Sequence, residues 1–137
     1  MKHTHQYVVN GSRLMSDLQN AYATQSLLLG KTLGRSPWLL MDQARIDAFA
    51  DTTEDPQFIH IDAARAAAET SLGGTVAHGF LTLSMASRMM QDTVAPFEVQ
   101  VMKLNAGFDR LRFLTPVRIV SRIRGLFKLK DVKQTYT

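Results

Sequence analysis

Residues 75–94 read TVAHGFLTLSMASRMMQDTV. Drawn as a helix, this stretch spreads Phe80, Leu81, Leu83, Met85, Ala86, Met89 and Met90 over nearly the whole circumference. A helix that is apolar on every side is a buried helix. The chain has 137 residues, enough for one domain with one sizeable core. Something must wrap the helix, and the only wrapping left in the sequence is a curved sheet.

The sheet signal lies downstream. EVQVMKLN (98–105) and GFDRLRF (107–113) are strand-like, and Thr115-Pro116 marks a turn. Beyond it Val117, Ile119, Ile123, Phe127 and Leu129 share one parity. Arg118, Arg122, Arg124, Lys128 and Lys130 share the other. That alternation predicts strand with an apolar inner face and a basic outer one. Asp131 to Thr137 begins a further strand-like run.

Upstream, SLGG (71–74) breaks a short helix that Asp62 caps and that runs through Ala68. The segment before it, Asp51–Ala66 (DTTEDPQFIHIDAARA), fits neither helical nor strand period up to Asp62 and is expected to be a loop. Asp42 is placed to cap QARIDAFADTT, whose Ile46, Phe49 and Ala50 make one apolar face. SPWLLMD (36–42) reads as a short strand, and DLQNAYATQSLLLG as a helix capped by Ser16 and stopped at Gly30. Residues 1–15 show no period and are expected to be a flexible tail; 16–137 form a single domain. The whole is an α+β arrangement, a curved antiparallel sheet around a long central helix: the hot-dog fold.

Composition limits the function classes. Hydrophobic residues at 45% and charged residues at 20% are ordinary for a soluble domain. No apolar run approaches the ~20 residues of a membrane span, and the first residues do not have the pattern of a secretory signal. With no cysteine there is no thiol nucleophile, disulfide or thiolate metal site, and the expected compartment is the cytoplasm. The net charge is +4, concentrated from Lys103 onward. Charge alternating along a strand without interleaved aromatics is a solvated sheet face rather than a nucleic-acid groove reader.

Asp55 and His60 are the first candidates for chemistry. A carboxylate beside an imidazole is a general acid–base pair, because histidine exchanges protons near neutrality. On spacing alone the simpler reading is structural, with Asp55 capping a turn and His60 satisfied in the core. His78-Gly79 opens the apolar helix. First-turn amides lack internal partners, and a glycine lets a carbonyl approach them, which is what an oxyanion hole requires. Gly79 would equally relieve tight packing. His60 and His78 have no evident third ligand at metal-site spacing, so neither a metal nor any other cofactor is expected.

Taken together the two segments are specific. Asp55-Pro56-Gln57-Phe58-Ile59-His60-Ile61-Asp62, followed by Ala77-His78-Gly79-Phe80-Leu81-Thr82-Leu83-Ser84, resembles the MaoC-like dehydratases, which include the (R)-specific enoyl-CoA hydratases. The likeness extends over roughly residues 26–130 and is greatest to the branch related to nodulation protein N. It implies the hot-dog fold and reversible hydration of a trans-2-enoyl thioester. Asp55 and His60 would activate one water, and the Gly79 N–H would polarise the thioester carbonyl. Gln57, His78, Ser84 and Ser87 would contact substrate or fix the loop. The partners implied are a coenzyme A or acyl-carrier thioester and a second copy of the chain in a homodimer. Arg110, Arg112 and Arg118 are candidates for coenzyme A phosphates.

Two departures stand out. Glu54 occupies the position before Asp55 where the family usually has glycine, either perturbing Asp55 or pointing to solvent. The chain also stops at Thr137, where relatives continue, so a final sheet edge is expected to be missing and open to another chain. Competing readings are a hot-dog thioesterase, which also polarises a thioester at a helix N-terminus, and a non-catalytic acyl-thioester-binding domain.

Overall fold

The computed structural model describes residues 11–96 and 104–133. In order these form α1 (Gly11–Ser26), β1 (Thr32–Arg35), β2 (Leu39–Met41), α2 (Gln43–Thr53), α3 (Phe58–Ile61), α4 (Ala63–Glu69), α5 (Gly79–Gln91), β3 (Ser121–Ile123) and β4 (Leu126–Lys128).

The alternating stretch 117–129 is the spine. It pairs antiparallel with three upstream segments in turn. The Ala77 N–H donates to the Val117 carbonyl at 2.8 Å and the Ile119 N–H to the Thr75 carbonyl at 3.0 Å. Next, β3 pairs with β2, Leu39 opposite Ile123 and Met41 opposite Ser121. Then β4 pairs with β1, Arg35 opposite Leu126 and Thr32 opposite Lys128. The expected parity holds along it: Val117, Ile119, Ile123, Phe127 and Leu129 are half-buried, and the five cations between them are exposed. The ladder breaks twice. Val120 has φ 63°, a left-handed value that a β-branched residue rarely adopts. At the second break the Ser36 hydroxyl accepts the Gly125 N–H at 2.9 Å in place of a backbone carbonyl.

The core lies between this spine and two helices. Met41 from β2, Ile46 from α2, Ala77, and Leu81 from α5 form one buried cluster, with Phe49, Met85, Val117 and Ile123 packed against it. The architecture is the α+β hot-dog arrangement, with α5 against the inner face of the curved antiparallel pairs. Within α5 itself only Leu81 and Met89 are buried, and Phe80 is 65% exposed. The expectation of a helix enclosed on every side is therefore not met by one chain. Among the described residues no helix is long and apolar enough to cross a membrane.

Both aspartate caps form as expected. Asp42 Oδ1 accepts the Arg45 N–H at 2.9 Å, and Asp62 Oδ1 accepts the Arg65 N–H at 3.0 Å. Other local expectations differ. α1 begins at Gly11, placing Ser16 inside the helix, and ends at Ser26. Gly30 lies beyond the end of α1, in a left-handed turn at φ 75°, and its N–H donates to the Leu129 carbonyl. Residues 107–113 join no ladder. Strand pattern yields strand only beside a partner, and most of the expected neighbour, 98–105, lies outside the described residues. So do 1–10 of the expected tail and 134–137 of the expected last strand. The expected loop after α2 contains one helical turn, α3, which carries His60.

Glu54 ends α2 with φ 55° and ψ 34°, and its N–H donates to the Ala50 carbonyl. The left-handed cap explains why a glycine suits this position: a Cβ there costs about 1–2 kcal/mol. Its side chain is exposed. Glu54→Gly is expected to raise stability by about 0.5–1 kcal/mol, the strain relieved less the added freedom of the unfolded chain. A denaturant midpoint that stays put or falls would show that Glu54 is unstrained.

Candidate active site

Three short segments converge on one spot. The first is the exit from α2. Asp55 follows the left-handed residue, and its N–H donates to the Ala50 carbonyl at 3.0 Å, which ties it to the helix end. The second is α3, which starts after Pro56-Gln57 and presents His60 inward at 8% exposure. The third is the extended run Thr75–His78, buried throughout, which leads into α5.

The rings of His60 and His78 stack face to face, centroids 3.6 Å apart and planes inclined by 26°. Phe49 closes the other side of His78 at 5.1 Å. Each imidazole uses one nitrogen to hold the backbone. His60 Nδ1–H donates to the Val76 carbonyl at 2.7 Å, which leaves Nε2 as an acceptor. His78 Nε2–H donates to the Asp55 carbonyl at 3.0 Å, and Asp55 Oδ2 lies 3.9 Å from the same nitrogen. His78 thus couples Asp55 to His60, and its own Nδ1 is buried with no hydrogen-bond partner among the described residues. Burial holds the His60 imidazole below its ordinary value of 6.5, and nearby His78 pushes the same way. The Val76 hydrogen bond and the Asp55 charge oppose them. A neutral imidazole with a free Nε2 is a proton acceptor at neutral pH.

Gly79 is the first residue of α5, with His78 at the N-cap. It lines a cavity of about 270 Å³ together with Thr82, Phe113, Thr115 and Val117. A Cβ on Gly79 would stand 3.0 Å from the Phe113 ring, so the position requires glycine for close packing. Its N–H is also one of the first-turn amides without a partner inside the helix. Of its two readings, the structure shows the packing one. Phe113 in turn meets Phe80 edge-on, centroids 5.9 Å apart.

The other candidates are less central. Gln57 is exposed and makes no capping bond. His78 is only 4% exposed and bridges Asp55 and His60. Ser84 and Ser87 line a separate cavity of about 370 Å³ with Leu83, Met90, Phe108 and Phe127. There the Ser84 hydroxyl donates to the Phe80 carbonyl and Ser87 accepts from the Asn105 amide. Sequence reasoning missed the Val76 carbonyl, since a backbone oxygen leaves no mark in a sequence. It also missed Phe113, which was read only as the end of a strand-like stretch.

The expectation that the two histidines lack a third ligand needs correction. Asp55, His60 and His78 each offer one atom, all within 4.8 Å of one another. A zinc ion would sit about 2.0–2.1 Å from each nitrogen, in the plane of each ring. Rings stacked at 3.6 Å direct their in-plane lone pairs side by side instead of toward one point. The trio is better arranged to handle a proton than to chelate an ion.

Residues 24–137 match the sequence profile of the MaoC like domain. Over 108 residues the chain is 52% identical to nodulation protein N of Rhizobium meliloti, covering 79% of this chain and 67% of that protein. Over 104 residues it is 38% identical to the 3-hydroxyacyl-thioester dehydratase Z of Mycobacterium tuberculosis, covering 76% and 68%. Its fold matches unliganded R-hydratase PhaJ1 of Pseudomonas aeruginosa with a TM-score of 0.61 at 23% identity, over 80% of this chain and 64% of that one. The chain thus spans about two thirds of the length of each of these proteins.

The lowered His60 value carries a pH dependence. An unfolded histidine takes up a proton as pH falls through about 6.5, whereas His60 in the folded chain resists until lower pH. In that window the unfolded state binds more protons, so stability is lost as pH falls. Thermal midpoints should drop between pH 7 and about 5, and His60→Asn should drop less over the same range. Equal drops in the two proteins would show that His60 does not carry the effect.

Proposed function

Because the chain belongs to the MaoC-like domain family, a family of hydratases and dehydratases, we propose that it hydrates a trans-2-enoyl thioester reversibly to the (R)-3-hydroxyacyl thioester. The observation that carries the reading is the buried, neutral His60, its Nε2 unspent, coupled through His78 to Asp55 beside the Gly79 end of α5.

Each group has a task in this reaction. Water lies between Asp55 and His60. His60 Nε2 takes one of its protons while the oxygen bonds to C3 of the enoyl chain. Electron density moves from the C2–C3 double bond toward the thioester carbonyl, and C2 then takes the proton back from His60 Nε2–H, so that one water is added in all and the imidazole returns to neutral. The Gly79 N–H, at the positive end of α5, stabilises the oxygen on which charge builds. Asp55 stabilises the proton held on the imidazole. The reverse sequence expels water from the 3-hydroxy compound. The Phe113 ring stands beside Gly79 and would border the bound carbonyl.

Coenzyme A or a carrier-bound pantetheine would deliver the thioester. Of the three candidate arginines, Arg118 is opposite Val76 in an isolated bridge and so lies one strand away from the carbonyl that holds His60. Arg110 and Arg112 are exposed on the segment leading to Phe113. The working unit in this proposal is a homodimer. Phe80, Leu104, Phe108 and Leu114 are between 65% and 86% exposed in one chain, and a second copy would cover such a patch. Light scattering is expected to give twice the chain mass; a stable monomer would remove the dimer from the proposal.

The activity is tested with crotonyl-CoA, following loss of enone absorbance and resolving the product's hand. Asp55→Asn, which keeps shape but removes charge, is expected to slow hydration by roughly 10²–10⁴, and His60→Ala by a similar factor. The double variant should be little worse than either, as for groups acting as one unit. Release of free thiol would identify a thioesterase. A folded Asp55→Asn that hydrates at the wild-type rate would put the chemistry elsewhere.

A further inference from the structure

Gln43 is the first residue of α2, immediately after the Asp42 cap. Its amide nitrogen donates to Asp47 Oδ1 at 2.7 Å and to the His60 carbonyl at 2.7 Å. Its amide oxygen accepts from the Thr75 hydroxyl at 2.6 Å. The orientation of this amide is fixed by chemistry. A carboxylate and a carbonyl only accept, so both must face the NH₂ group, and the hydroxyl left over must donate to the oxygen.

The partners of Gln43 flank the bond that sets His60. Thr75 is fully buried, and the next residue, Val76, supplies the carbonyl that receives His60 Nδ1–H. The Val76 N–H returns a bond to the Ile59 carbonyl at 3.0 Å. One side chain therefore joins the two backbone segments, 59–60 and 75–76, between which the imidazole is clamped. Gln43 lies outside the apolar cluster of Met41, Ile46, Ala77 and Leu81, so its bonds do not duplicate core packing.

We propose that Gln43 is a positioning residue for His60. By fixing the His60 carbonyl relative to Thr75 and Val76, it keeps the imidazole in the tautomer with the proton on Nδ1. Nε2 is thereby reserved for the reacting proton. Without Gln43 the buried Thr75 hydroxyl and the His60 carbonyl both lose a partner, and the spacing that selects the tautomer is no longer held. The inference rests on the reading of His60 as the proton acceptor.

Gln43→Met keeps length and bulk and removes both donors and the acceptor. Nitrogen-15 NMR of the histidine rings, at a pH where His60 is neutral, is expected to show a single Nδ1–H tautomer in the wild-type protein. In the variant it should show a mixture. Turnover of crotonyl-CoA should fall about 10–100-fold with KM little changed, as for a misplaced reacting group with binding intact. A folded variant that keeps the single tautomer, or one with full turnover, overturns the proposal. Should Gln43→Met fail to fold, Thr75→Val cuts only the hydroxyl link and keeps its shape. A single unchanged tautomer there overturns the proposal equally. The NMR reading needs no substrate. If the wild-type protein hydrates no enoyl thioester, the proposed activity fails while the spectra still decide the role of Gln43.

Discussion

The run from Thr75 to His78 is extended backbone used on both edges, and the site depends on that double use. One edge pairs with 117–119 and is part of the sheet. The other offers the Val76 carbonyl to His60 Nδ1 and the Val76 N–H to Ile59. The same four residues are the most buried run in the described chain. A buried backbone group left unpaired costs about 1–3 kcal/mol, so this segment has little freedom to shift. His60 inherits that rigidity. An imidazole carried on a single helical turn, α3, would otherwise be poorly fixed, since a helix of four residues has no stability of its own.

The site sits where the sheet stops and α5 starts, and that junction serves two ends. The extended run must end abruptly for Gly79 to begin the helix, whose first-turn amides have no partner within it. Phe113 needs the same glycine in order to lie flat against the backbone. One residue without a side chain therefore meets the packing requirement and, in the proposed reaction, would meet the polar one as well. Any larger residue would have to displace Phe113 before it could affect an incoming carbonyl.

What the sequence made legible was local. The Asp42 and Asp62 caps depend on bonds three residues long, and both formed where expected. The parity of 117–129 depends only on a period of two, and it survives even the left-handed kink at Val120. Asp55 and His60 stood out because neither period explained them, but spacing alone favoured a structural role, and only the resemblance to the MaoC-like dehydratases pointed to chemistry. The rest depended on partners far along the chain. Residues 107–113 carry strand pattern but join no ladder, because pattern does not supply a neighbour. The apolar girth of α5 foretold burial on every side, yet one chain covers only Leu81 and Met89. The link from Asp55 to His60 through His78 spans 23 residues of sequence and has no local mark.

The stack of His60 on His78 limits the charge the site can hold. Two imidazolium ions 3.6 Å apart would repel by about 4 kcal/mol even at an effective dielectric constant of ~20. His78 is accordingly among the groups that hold the His60 value down. His78 already spends its Nε2–H on the Asp55 carbonyl, and its Nδ1 is sealed from solvent. In the proposed reaction the arriving proton would go to His60 Nε2, since Nδ1 is held by the Val76 carbonyl. His78 holds the aspartate's backbone in register through its own Nε2–H bond and stacks on the ring of its neighbour.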